Sequence, residues 1–112
     1  MTGIASGFDP TRKPKKRERS VESYLKERIE SIGGKCYKFV SPGTDGMPDR
    51  IVIYKGAVLF IETKRPGEKP RALQKERIEE LRALGVPAFS INALDQVEQL
   101  IIRLTLNRDN YD

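Results

Sequence analysis

The chain has 112 residues, of which 38% are hydrophobic and 33% charged, which suits one domain with one core. The formal net charge is +5, histidine is absent, and the single cysteine, Cys36, has no internal disulfide partner, so a reducing cytoplasm is expected. These facts exclude His-ligated zinc, a Ser-His-Asp triad and any nuclease built on a histidine base, and no apolar run approaches the ~20 residues of a membrane helix.

In chain order, residues 1–19 read as a disordered basic arm. Arg12, Lys13, Lys15, Lys16, Arg17 and Arg19 stand there against Asp9 and Glu18, so the arm holds +4 of the net +5. It can hold phosphate backbones by displacing counterions, or serve only as a solvated leader. No apolar export signal is present in it. Residues 20–106 form the expected domain and 107–112 a loose tail. Ser20 suits the N-cap of a helix from Val21 to about Ile32, with Val21, Leu25, Ile29 and Ile32 as its apolar stripe, and Gly33-Gly34 ends it. "CYKFV" alternates like a short strand, and "SPGTDGMP" is a loop. Residues 49–54 and 57–64 are two strands joined at Lys55-Gly56. A second helix runs from about Arg71 to Leu84. "PAFSI" is a fourth strand, and Asn92 caps a third helix with a stripe of Leu94, Val97, Leu100/Ile101 and Leu104.

With Lys55-Gly56 as a two-residue turn, Tyr54 faces Ala57, and the same register carried outward sets Asp49 opposite Glu62. Directly opposed side chains have Cβ atoms roughly 4.5–5.5 Å apart. Two carboxylates there repel unless positive charge lies between them, and a divalent cation such as Mg²⁺ takes hard oxygen ligands of this kind. Lys64 shares a face with Glu62 and so reaches the same spot. The opposite face, Val52, Tyr54, Ala57, Leu59 and Ile61, is also apolar, so a central hairpin covered by helices on both sides is expected. The plainer alternatives are that Asp49 caps a turn after Pro48 and that Glu62 pairs only with Lys64.

Two further polar residues stand out. Glu22 lies in the first turn of the first helix, at the border of its stripe, where an acid also favours the helix dipole. Gln74 precedes Ile78 and Leu81 at i+4 and i+7, so it falls on the face that should be buried. A buried amide needs partners: a phosphate, a metal-bound water, the rim of the acid pair, or simply backbone.

"GMPDRIVIYKGAVLFIETK" resembles the PD-(D/E)XK nuclease signature, with Pro48-Asp49 and Glu62-Thr63-Lys64 as its halves. "SVESYL", "GGKCYKFVSPGTDGMPDRIV", "FIETKRPGEKPRALQ" and "LRALGVPAF" are similar to the VRR-NUC family, the virus-type replication-repair nucleases, of the stand-alone phage type. The likeness covers about residues 20–102. It implies an α/β, restriction-endonuclease-like core in the order α-β-β-β-α-β-α, with a central mixed sheet flanked by helices. It implies metal-dependent hydrolysis of DNA phosphodiesters, with Asp49, Glu62 and the Thr63 carbonyl holding Mg²⁺ or Mn²⁺. It further implies that Lys64 helps activate water, that Glu22 completes the acidic cluster and that Gln74 lies beside the site. Branched DNA such as four-way junctions is the implied substrate, cut by a homodimer or higher even homo-oligomer in a host cytoplasm. Leu94, Val97, Leu100, Ile101, Ile102, Leu104 and Leu106 exceed what one stripe needs, which fits such an assembly. The alternative is a non-catalytic DNA-binding or assembly module that keeps the nuclease fold. Such a relative is expected to lose Asp49, Glu62 or Lys64, and all three are present.

Overall fold

The computed structural model describes residues 19–109. The first helix, α1 (Val21–Ser31), starts where Ser20 Oγ accepts the Ser23 N–H at 3.1 Å. It buries Val21, Leu25 and Ile29, each adding roughly 1.5–3 kcal/mol of hydrophobic stabilisation. Gly34 then crosses so near β-strand backbone that an added Cβ would stand 2.8 Å from both the Ile29 Cγ2 and the Ile53 carbonyl oxygen. The chain thus enters the sheet directly from the helix.

The remaining elements are β1 (Lys35–Lys38), β2 (Arg50–Tyr54), β3 (Ala57–Thr63), α2 (Ala72–Ala83), β4 (Ala88–Ile91) and α3 (Leu94–Asp109). The sheet order is β1-β2-β3-β4, antiparallel for the first two pairings and parallel for β3 with β4. This is the expected α/β architecture with a mixed sheet. The β2–β3 turn has φ of 46° at Lys55 and 87° at Gly56, the two positive angles that a type I′ hairpin demands. It fixes the expected register, from Tyr54↔Ala57 to Arg50↔Ile61. The next positions outward are Asp49 and Glu62.

Several boundaries differ. The first strand stops at Lys38, two residues early, although the Phe39 N–H still reaches the Asp49 carbonyl at 2.8 Å. The third helix continues to Asp109, so residues 107–109 are helical and not loose. Residues 1–18 and 110–112, which hold most of the basic arm and the end of the tail, lie outside the described residues. Asn92 does not cap α3 with its side chain. Its Nδ2 donates to the Glu68 carbonyl at 2.8 Å, while its own N–H donates to Gln96 Oε1 at 2.7 Å.

One sheet face, Val52, Tyr54, Leu59 and Ile61, forms the core with α1 and with Val97, Leu100, Ile101 and Leu104 of α3. Glu98 of α3 accepts hydrogen bonds from Arg28 and Tyr24 of α1. The Arg28 guanidinium foremost holds its carboxyl below the usual carboxylate range. The other face carries α2, so helices lie on both sides as expected, but α2 covers that face only in part. The crossover helix α2 packs toward β4 and its parallel neighbour β3, while Ile53 and Val58 stay 38% and 43% exposed.

Candidate active site

The acid-bearing end of the hairpin is also the end where strand, loop and helix meet. Glu62, one residue from the end of β3, is only 4% exposed. Its Oε2 lies 3.3 Å from Lys64 Nζ and accepts from Gln74 Nε2 at 2.9 Å. Alternation along β3 brings Lys64 to the same face, as expected. Gln74 is buried as expected, and its partner is the acid pair's rim. The Gln74 Oε1 accepts the Arg71 N–H at 2.9 Å. That bond, at the start of α2, turns the amide so that its N–H₂ faces Glu62. Burial first, and the Asp49 charge second, push the Glu62 carboxyl above its ordinary range, with Lys64 offsetting part of the rise. The two acids therefore do feel one another across the strands.

Asp49 stands just before β2. Its Oδ1 accepts the Thr63 N–H at 2.9 Å and its Oδ2 the Thr63 hydroxyl at 2.8 Å. The family likeness points to the Thr63 carbonyl alone; the hydroxyl contact is visible only in the structure. Gly46 sets the other wall. At φ +85°, a Cβ there would meet Leu73 Cγ at 2.7 Å and the Leu73 carbonyl oxygen at 3.0 Å. The loop before Asp49 therefore lies directly on the first turn of α2, beside Gln74. Gly46→Ala is expected to cost about 1–2 kcal/mol from the left-handed backbone alone, and to lower activity further by moving α2. Urea unfolding and a cleavage assay check this; an unchanged midpoint and rate would contradict it.

Glu22 is not gathered with the other two acids into one group. Its Oε2 accepts from Arg50 Nε at 3.0 Å. Arg50 sits on the face opposite Asp49, so it meets α1 instead of α2. Sequence reasoning passed over Arg50, although strand alternation beside Asp49 points it toward the first helix. Among the described residues, no three His, Cys, Asp or Glu side chains lie close enough to hold a metal ion between them. Glu22 nevertheless shares a cleft of about 990 Å³ with Asp49, Thr63, Lys64, Arg19 and Arg65. Arg19 pairs with Glu27 and lies 5.8 Å over the Tyr24 ring. Arg12, Lys13, Lys15, Lys16 and Arg17 fall outside the described residues.

The donor chemistry at Asp49 and Glu62 suits a hard divalent cation. Both are carboxylates, they lie within electrostatic reach, and the softer ligands histidine and cysteine are missing from the cleft. Mg²⁺ commonly takes only one or two carboxylates and completes its shell with water and substrate phosphate.

Three comparisons with known proteins bear on this site. "Putative nuclease p44" of Acyrthosiphon pisum secondary endosymbiont phage 1 is 44% identical over 80 residues, spanning 70% of this chain and 86% of that one. A solved VRR_NUC domain is 35% identical with a TM-score of 0.67, over 72% of this chain and 89% of the other. A second solved structure, a VRR_NUC domain protein, has a TM-score of 0.58 at 24% identity, over 76% and 87% of the two chains, and speaks for the fold alone. No protein-family model matches the chain.

Proposed function

The chain belongs to the VRR-NUC family, and from that premise we propose that it is a metal-dependent endonuclease acting on branched DNA such as four-way junctions. The observation that carries this reading is the buried Glu62, held by Lys64 and Gln74 beside the clamped Asp49. Burying a carboxylate costs free energy that pairing and hydrogen bonding must offset, and Lys64 and Gln74 offset it here only in part, with a second acid kept within electrostatic reach.

Asp49 and Glu62, with the Thr63 carbonyl, would hold Mg²⁺ or Mn²⁺. When bound, such a cation supplies a Lewis acid and a more acidic water for attack on the phosphodiester. Lys64 reaches the cleft with a fixed positive charge where negative charge develops on phosphate. Gln74 fixes the Glu62 carboxylate, and Glu22, fixed by Arg50, adds negative charge at the cleft's edge. Arg19 and Arg65 at the cleft offer phosphate contacts. The test is supercoiled plasmid and a labelled four-way junction, each with Mg²⁺ or Mn²⁺ against EDTA. Cleavage with metal and none in EDTA is the expected result. Cleavage that persists in EDTA sinks the metal-dependent reading, and equal rates on the junction and on a linear duplex of the same arm sequence, run beside it, sink the branched-DNA one.

The basic arm extends the same reading. Removing residues 1–19 is expected to weaken DNA binding and flatten its salt dependence. The slope of log affinity against log salt falls by about 0.9 for each duplex phosphate that the arm no longer neutralises. Titrations at several salt concentrations measure it; an unchanged slope would show that the arm neutralises no phosphate.

Symmetric junction cleavage needs two cuts, and two-fold symmetry supplies a second site without new sequence. We place the dimer interface on α3. Its own chain buries Val97, Leu100, Ile101 and Leu104, but Leu94, Ile102 and Leu106 remain exposed. A homodimer or higher even assembly is expected from light scattering at micromolar concentration. A monomer mass with two-strand cutting retained would contradict it. Among the described residues no helix is long and apolar enough to cross a membrane, and the host cytoplasm is the proposed setting.

A further inference from the structure

We propose that the Thr63 side chain is a positioning residue that sets how tightly Asp49 binds the divalent cation; this rests on the metal-dependent reading above. By register, Asp49 and Glu62 should stand opposed with their charges in conflict. Asp49 instead turns its two oxygens to one neighbour, Oδ1 to the Thr63 N–H at 2.9 Å and Oδ2 to the Thr63 hydroxyl at 2.8 Å. Two-point attachment defines the plane of the carboxylate as well as its direction. A single hydrogen bond would leave it free to rotate about that bond.

The lone pairs that remain free decide what Asp49 can still bind. An ionised carboxylate offers about four lone-pair sites, and Thr63 occupies one on each oxygen. One site on each oxygen is left for a cation. Thr63 also follows Glu62 directly, so the residue that orients one acid is covalently tied to the other. One peptide unit and two hydrogen bonds thus tie the Asp49 carboxylate to the Glu62 main chain, while Lys64 and Gln74 hold the Glu62 carboxylate itself. The backbone N–H is present with any residue at this position except proline. The hydroxyl is the part that the side chain alone supplies, and Ser or Thr are the side chains on this β-carbon that place it there.

The test is calorimetric titration of the full-length metal-free protein with Mn²⁺, read without substrate. Thr63→Val keeps the shape and the backbone N–H but removes the hydroxyl, and valine suits a strand. Loss of a partner that orients a ligand typically costs 10–100-fold in metal affinity, so a loss of about tenfold or more is expected. Thr63→Ser restores the hydroxyl and is expected to recover most of that roughly 10–100-fold loss, which a general packing role does not predict. Thr63→Ala repeats the loss should the valine variant misfold, and a thermal melt confirms that each variant is folded. Wild-type affinity in folded Thr63→Val or Thr63→Ala overturns the proposal, as does a serine variant no better than valine. If the parent itself binds no Mn²⁺, or binds it equally after Asp49→Asn, the metal-dependent reading fails and this inference with it. The two failures are thus separable.

Discussion

Asp49→Asn and Glu62→Gln are each expected to abolish metal-dependent cleavage while leaving the fold intact. Each exchange removes one ionised ligand and almost no volume. A metal's stabilisation of transition-state charge amounts to several kcal/mol, and each 1.4 kcal/mol is tenfold in rate. Losing it corresponds to a fall of roughly 10³-fold or more. Near-normal rates in either variant would remove the residue from the site. The Glu62 exchange has a second signature. Burial and the Asp49 charge raise the Glu62 proton affinity in the folded state, so the fold binds this proton more tightly than the unfolded chain does. The resulting stability is fully present below the usual carboxylate range and is lost as pH rises through the elevated folded value. Glu62→Gln removes that loss while keeping an acceptor for Gln74. Lys64, its side chain 13% exposed, loses its charged partner in this exchange, which offsets part of the gain without reversing the net rise. The metal-free variant should therefore be more stable than the parent above the carboxylate range, with the gap closing in acid. Urea unfolding in EDTA across that pH range reads it, and a gap independent of pH would contradict the assignment.

Lys64→Ala is expected to lower cleavage by roughly 10²–10³-fold, the usual scale for losing one preorganised group at developing charge, while metal affinity stays close to the parent's. The ammonium sits 3.3 Å from Glu62 Oε2 and also lines the cleft. Its charge is thus available to a phosphate and is not spent wholly on the acid. Removing it lets the Glu62 proton affinity climb further, because Lys64 is what offsets the rise. The comparison therefore belongs at alkaline pH, where Glu62 stays ionised in both proteins. Calorimetry in which the affinity falls as far as in Asp49→Asn would show that Lys64 serves the metal and not the phosphate.

The hairpin was legible in the sequence because its determinants are local. Two residues at the turn, Lys55 and Gly56, fix which residues face each other, and strand alternation then assigns Glu62 and Lys64 to one face. The α1 stripe, the Ser20 cap and the buried position of Gln74 follow from helical spacing in the same way. Family likeness added the chemistry that spacing alone leaves open. What the sequence did not decide are contacts between groups far apart in the chain. The parallel docking of β4 on β3 places α2 over Glu62, and Gly46 under Leu73 sets its approach. The turn of the Gln74 amide depends on the Arg71 N–H, and the direction of Asp49 on Thr63 across the strand pair. Glu22 lines the same cleft as Asp49, but its partner there is Arg50, a contact that helical spacing does not reveal. Helix and strand period say which face a side chain takes. Its hydrogen-bond partner depends on what the rest of the chain brings to that face, and only the packed tertiary structure decides that.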